Sequence, residues 1–266
     1  MVKGLYNLTS GMLTQRRNLD VISSNMANVS TAGFKADQLS SSTFRNELMG
    51  RTGNTDKANA KELAEVSMAR IPRETITDFT QGAFQQTDRK LDLAVSGDGF
   101  FQVRNNGGVR YTRSGSFNLN NQGYICTQDG SLLLGKKGPI QVFHPQAEEL
   151  TKDGDSVQEF NAENIRVDAN GGVYDKDGNF IDQIQLVIVS DPTQLVKEGE
   201  FFTGGGEVRY ANGTVLQGCL EASNVDALKE MVSMIESERH LQSAAQVLKI
   251  YDQMLGKATT EIGKIN

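Results

Sequence analysis

LQSAAQVLKIYDQMLGKATTEIGKI, residues 241–265, sets Leu241, Ala244, Leu248, Tyr251, Leu255, Ala258, Ile262 and Ile265 at alternating three- and four-residue steps. That rhythm keeps apolar side chains on one face of an α-helix and predicts a seam shared with another helix. A second stripe sits near the other end: Leu5, Leu8, Met12, Leu19, Ile22, Met26 and Val29, with polar Gln15 filling its one gap. Between the stripes the chain reads as β-structure. The expected class is α+β, an irregular all-β central body, sandwich or open barrel, flanked by N- and C-terminal coiled-coil helices that pair. Terminal helices bracketing a β-body suggest an assembly subunit.

Four segments follow from this reading: an N-terminal helix in 1–35, a partly extended connector in 36–75, a central β-body in 76–220 and a C-terminal helix in 221–266. The first helix is predicted to begin near Lys3 and end around Asn28, because Thr31 and Gly33 break the pattern and Gly33 suits a left-handed turn. Phe34 then reads as an anchor. From Ala36 to about Ala69 the composition shifts to Ser, Thr, Asn and Lys. A loop of that length is uncommon inside a compact domain, so it reads as an interaction segment or one ordered on assembly.

From Gln81 to Gly218 clusters of Gly, Asn and Asp recur about every ten residues, the punctuation of an all-β region. Asn120-Asn121-Gln122-Gly123, Gln128-Asp129-Gly130, Asn170-Gly171-Gly172 and Asp177-Gly178-Asn179 supply hairpin turns. Phe100–Val103, Val109–Thr112, Ser116–Leu119, Tyr124–Thr127, Leu132–Leu134 and Ile184–Val189 are strand-like. Helical periodicity resumes after Ser223, a candidate N-cap with Asp226 three residues on, an imperfect capping box. Leu228, Met231 and Ile235 form its first stripe. The spacing contracts by one residue between Ile235 and Leu241, so the helix either shifts its seam there or is overwound, and a second partner face is expected.

The 266 residues include 27 basic and 33 acidic ones, a net charge of −6, with no dense Lys/Arg cluster interleaved with aromatics. Nucleic-acid binding is not expected. Cys126 and Cys219 are too few for a disulfide framework and lack metal-ligand spacing; they are expected to be buried thiols, and whether they pair is left open. Polar residues from Asn7 to Asp20 interrupt the first thirty positions, so no cleaved signal is read there. The longest apolar run, Leu186–Val189, is far short of the roughly 20 residues that span a bilayer, and no membrane anchor is expected.

Several stretches carry residue types that chemistry would need. The two histidines, His144 and His240, have no ligand-spaced neighbours, so no metal is expected. Asp175-Lys176-Asp177-Gly178 resembles the middle of a calcium loop, but Val173 and Ile184 occupy its first and last ligand positions, and it reads as a hairpin turn. Gly97-Asp98-Gly99 begins like a dinucleotide fingerprint, yet Gln102 stands where the third glycine belongs. With no nucleophile elbow and no distinct carboxylate pair, neither an enzyme, a cofactor nor a small-molecule substrate is expected.

Three motifs carry a family resemblance. Ala27-Asn28-Val29-Ser30-Thr31-Ala32-Gly33-Phe34-Lys35 resembles the signature closing the N-terminal helix of bacterial flagellar rod and hook proteins. Leu91–Val95 running into Gly97-Asp98-Gly99-Phe100-Phe101-Gln102-Val103, then Tyr111–Phe117, is similar to that family's central signature. Ser223-Asn224-Val225-Asp226, followed by Glu230–Ile235, resembles its C-terminal one. Within the family the nearest likeness is to the distal-rod type of subunit or its companion, although Phe44–Arg70 matches no wording and His144–Gly218 only in texture.

The resemblance implies a structural subunit of the basal-body rod. It polymerises through its terminal helices into a rigid axial tube that transmits torque, with the helices as an inner layer and the β-body outside. It implies as partners copies of the chain, other rod and hook proteins and the flagellar export apparatus. It also implies export without a cleaved signal and assembly in the basal body, outside the inner membrane. Alternatives are a hook subunit or, from another class, a trimeric coiled-coil adhesin-like module. The physics agrees with polymerisation: each buried Leu or Ile is worth roughly 1.5–3 kcal/mol, which an isolated helix cannot realise, and head-to-tail contacts that do not close build a helical tube.

Overall fold

The computed structural model describes residues 2–43, 46–50, 62–67, 70–105, 107–142, 165–175, 177–210 and 213–263. Phe44, His144 and Ile265 lie outside the described residues, as does the side chain of Ile262. The chain divides into two compact units: one comprises residues 1–27, 36–78 and 225–266, the other residues 28–35 and 79–224. Residues 28–35, read from sequence as the tail of the helical segment, thus belong to the β-rich unit.

In the helical unit, α1 spans Val2–Ala27 and α2 spans Ala227–Gly263. Ser223 does not cap α2. Asp226 does: its Oδ1 accepts the backbone N–H groups of Leu228 at 3.0 Å and Lys229 at 3.3 Å, satisfying two amides that the first helical turn leaves without partners. The two helices run antiparallel. Asn18 Nδ2 donates to Ser237 Oγ at 3.1 Å and Asn25 Nδ2 to Glu230 Oε1 at 3.3 Å, so seven residues back along α1 match seven forward along α2. Fourteen further on, a Cβ at Gly4 would stand 3.7 Å from the Tyr251 hydroxyl, in the same register.

The expected connector contains two antiparallel ladders. Asp37–Thr43 pairs with Arg70–Thr77, and Asn46–Gly50 pairs with Glu62–Ser67. A ladder of two strands needs no buried sheet face, so the apolar alternation that normally betrays a strand is weak in this Ser- and Thr-rich sequence.

In the β-rich unit, a ladder runs in the order Leu195–Glu198, Phe201–Gly204, Gly108–Thr112, Phe100–Asn105, Leu132–Gly135, Ile125–Cys126, Asn118–Leu119, with Leu186–Val189 also pairing Phe100–Asn105. The pairing is antiparallel throughout. Thr214–Gln217 pairs with Leu93–Ser96, and Cys219–Glu221 with Phe84–Gln86. Strand alternation sends Phe101 and Val103 into the main core with Leu93, Phe117, Ile125 and Leu133. Phe100, on the opposite side of its strand, packs in a second cluster with Phe202 and Phe79, ring centroids 5.4–5.7 Å apart. The calcium-like stretch is a hairpin turn: Gly178, at φ +79°, donates to the Asp175 carbonyl at 2.9 Å. Cys126 is a buried free thiol, whereas Cys219, expected to be buried, is a half-buried one.

Candidate functional site

The helix faces come first. On α1, Leu5, Leu8, Met12, Leu19 and Met26 are half-buried and Ile22 is buried; Val29, beyond the helix, is half-buried in the other unit. On α2, Leu241, Ala244, Leu248 and Tyr251 are half-buried, and the row continues toward the N-terminus on the same rhythm through Ser237, Met234 and Glu230. Leu228, Met231 and Ile235 are elsewhere. They are exposed, with Val232, on a different side of the helix, and Val247, Ile250 and Met254 are exposed farther along. The one-residue contraction before Leu241 therefore marks a change of face. Leu255, at 36% exposure, and Ala258 lie where little of α1 covers them. No helix among the described residues is long and apolar enough to cross a membrane.

Asn25, 1% exposed, fixes the beginning of the ribbon. Its Nδ2 donates to the Asp37 carbonyl at 2.8 Å and its Oδ1 accepts the Asp37 N–H at 3.0 Å, while Asp37 Oδ1 accepts from Thr77 Oγ1 at 2.7 Å. Asn25 lies outside the apolar stripe read from the sequence. A carboxamide one heptad on from Asn18, beside the apolar stripe, is the signal the sequence offers.

Within the β-rich unit, parts of the chain far apart in sequence meet at one carboxylate. Glu221 Oε1 lies 2.5 Å from Lys35 Nζ and accepts the Gly82 N–H at 3.0 Å; Oε2 lies 3.2 Å from Arg113 Nη1. The Lys35 and Glu221 side chains are at 0% exposure and Arg113 at 5%. Burying such charges is costly unless their hydrogen-bonding capacity is met. Much of it is met by the chain itself: Lys35 Nζ also donates to the Thr80 carbonyl at 2.8 Å, and Arg113 Nη2 to the Gly97 carbonyl at 2.9 Å, while Arg113 Nε is buried without a hydrogen-bond partner. Burial pushes the Arg113 guanidinium below its ordinary value, and Glu221, followed by Asp98, pulls it back.

The motif residues frame this cluster. Thr31 Oγ1 donates to Asn28 Oδ1 at 3.2 Å. Gly33, at φ +70°, donates its N–H to the Glu221 carbonyl at 2.7 Å and lies so close to Arg113 that a Cβ would stand 2.4 Å from that residue's carbonyl carbon. Phe34 is buried beneath Lys197, whose Nζ lies 3.7 Å from the ring centroid and donates to the Lys35 carbonyl at 2.7 Å. The Arg113 guanidinium stands 5.2 Å over the Phe100 ring, and Phe101 packs on Phe117 at 5.2 Å. Gly97 and Gly99 both have positive φ on the approach to Phe100. Asn224 Nδ2 donates to Thr80 at both its carbonyl and its hydroxyl, Ser223 is half-buried, and Val225 is buried in the helical unit. Lys35 and Arg113 lie inside the motifs and Glu221 just outside them; a pairing across 186 residues leaves no local trace in the sequence.

Three family models match in chain order: the flagella basal body rod protein model over residues 5–35, the flagellar hook protein FlgE/F/G D1 domain over 94–175, and the flagellar basal body rod FlgEFG protein C-terminal model over 216–261. The flagellar basal-body rod protein FlgF of Caulobacter vibrioides is 32% identical over 272 aligned residues, covering 100% of both chains. The flagellar hook-basal body complex protein FlhO of Bacillus subtilis is 29% identical, again over 100% of both. The rod protein FlgG of Bacillus subtilis is 30% identical over 96% of this chain and 97% of its own. The chain belongs to the bacterial flagellar basal-body rod and hook protein family.

Proposed function

We propose that the chain is a structural subunit of the flagellar basal-body rod, polymerising through its terminal helices into a rigid axial tube that transmits torque. The observation carrying this reading is similarity over the entire chain to a protein named as a basal-body rod protein. A hook subunit is the neighbouring alternative, and no feature of the chain favours it over the rod. In the assembled tube α1 and α2 form a coiled coil, and the outer row of α2, Leu228, Met231 and Ile235, meets neighbouring subunits. Exposed as they are in the single chain, these side chains release roughly 1.5–3 kcal/mol each when covered, which supports association over isolation. The neighbours are copies of the chain and other rod and hook proteins. The export apparatus delivers the chain without a cleaved signal to the basal body outside the inner membrane, with no membrane anchor of its own. Its work is mechanical, with no catalytic step, cofactor, nucleic acid or small-molecule substrate.

Deleting the coding sequence and purifying basal bodies tests this. Rods that are missing or truncated, and restored by the plasmid-borne chain, are expected. Complete rods in the deletion strain would sink the proposal.

A further inference from the structure

The β-rich unit has four chain ends, because the chain enters or leaves it after residues 27, 35, 78 and 224. Three of these ends meet at the Glu221 cluster, and the fourth, at Asn28, reaches it through Gly33. Lys35 is the last residue of its segment, and its Nζ bridges Glu221 and the Thr80 carbonyl. Thr80 is the second residue of the next segment and also accepts from Asn224, the last residue before the chain leaves again. The segment starting at Asn28 is tied in through Gly33, whose N–H donates to the Glu221 carbonyl. Gly82, two residues past Thr80, donates to the Glu221 carboxylate, and Arg113 fastens that carboxylate to the Gly97 carbonyl of the body.

Such an arrangement exceeds what packing requires. Apolar residues of similar volume usually hold a core at least as well as a buried ion pair, so the charges add specific, directional ties between chain ends. A buried ammonium shared by a carboxylate and a carbonyl cannot slide without losing charge-assisted hydrogen bonds, and the two backbone amides on Glu221 are held with it.

We infer that Lys35, Thr80, Arg113, Glu221 and Asn224 form a clamp that makes the four chain ends of the β-rich unit yield together, so that load entering by one connection is shared by all. The mechanical role rests on the rod reading; the concerted yielding does not. Neither Thr80 nor Glu221 lies in a motif singled out from the sequence.

The test is native-state hydrogen exchange by mass spectrometry on the full purified chain, comparing wild type with Lys35→Met, which keeps the Glu221–Arg113 pair. Exchange is expected to rise at least on the order of tenfold, from the loss of the two charge-assisted hydrogen bonds that Lys35 makes, in peptides covering 28–35, 79–84 and 219–224 alike. A rise confined to residues next to position 35 would overturn the clamp. Should Lys35→Met unfold, Asn224→Ala removes a tie at the surface, and a parallel rise around Thr80 and Gly33 is the expected result, with an isolated change at 224 overturning it. For the mechanical role, cells carrying either variant should swim normally in dilute medium and lose speed several-fold more than wild type in viscous medium. Equal slowing would reject load sharing, while absence of the wild-type chain from purified basal bodies would reject the rod reading alone.

Discussion

Asn25 holds Asp37 as a neighbouring β-strand would, its carboxamide donating to the Asp37 carbonyl at 2.8 Å and accepting from the Asp37 N–H at 3.0 Å. One side chain of α1 thereby substitutes for a ladder partner at the first residue of the ribbon strand Asp37–Thr43. Asn25→Ala leaves buried polar groups unpaired and should cost about 1–3 kcal/mol in a urea melt of the helical unit. Asn25→Asp should cost more, because it replaces the donor facing the Asp37 carbonyl and Glu230 with a second acceptor.

Gly33 and Gly97 both have positive φ but face different surroundings. Gly33→Ala meets the Arg113 backbone at 2.4 Å in addition to its φ of +70°, whereas nothing lies within 4 Å of a Cβ at Gly97. The expected losses are about 2–6 kcal/mol at position 33 and roughly 1–3 kcal/mol at position 97, the conformational cost alone. Thermal unfolding of the two variants side by side measures the difference.

Removing either partner of the Lys35–Glu221 contact should have unequal effects. Glu221→Gln strands two buried cations and is expected to cost about 3–5 kcal/mol. Lys35→Met leaves Glu221 paired with Arg113 and should cost less. Denaturant midpoints in that order support the shared-carboxylate geometry, and the reverse order would contradict it.

Substitutions on the two faces of α2 should separate folding from assembly. Ile235→Lys, at an exposed apolar position, should move monomer stability by no more than about 0.5 kcal/mol yet reduce motility and rod assembly. Replacing Leu248 and Leu255 together with Lys should also abolish polymerisation, and because Leu248 is half-buried it should destabilise the helical unit while the β-rich unit stays folded. Near-native circular dichroism beside loss of swimming is the signature to seek for Ile235→Lys.

The thiols should react in sequence. Burial raises the Cys126 thiol above its ordinary value and keeps reagents out, while Cys219 is half-buried. At pH 8 in native buffer a thiol reagent should label Cys219 first, with Cys126 following only in denaturant. Simultaneous labelling would argue against the packing around Ile125 and Cys126.

How much of this was legible depended on range. Helix limits followed from local periodicity, and α1 and α2 begin and end within a few residues of where the stripes place them. Hairpin turns such as Asp175–Asn179 were readable because glycine tolerance is a local property. Asp226 is legible as part of a cap, but it stands at the N-cap where the sequence points to Ser223, since several side chains near the start of α2 have capping chemistry and only geometry chooses among them. The ribbon was hidden because its pairing rests on backbone hydrogen bonds, which any composition supplies. Lys35, Thr80 and Glu221 escaped because each is ordinary in its own neighbourhood; their meaning lies in being brought together across the chain.

The carboxylate of Glu221 also ties the history of the chain to its geometry. Because it pairs with an ammonium, a guanidinium and a backbone amide at once, a change there asks for simultaneous replacements at positions 35 and 113, which single mutational steps seldom provide. Position 35 is freer, since the pair with Arg113 survives its loss. Lineages that diverge widely over the ribbon and outer β-segments should therefore drift last at 221.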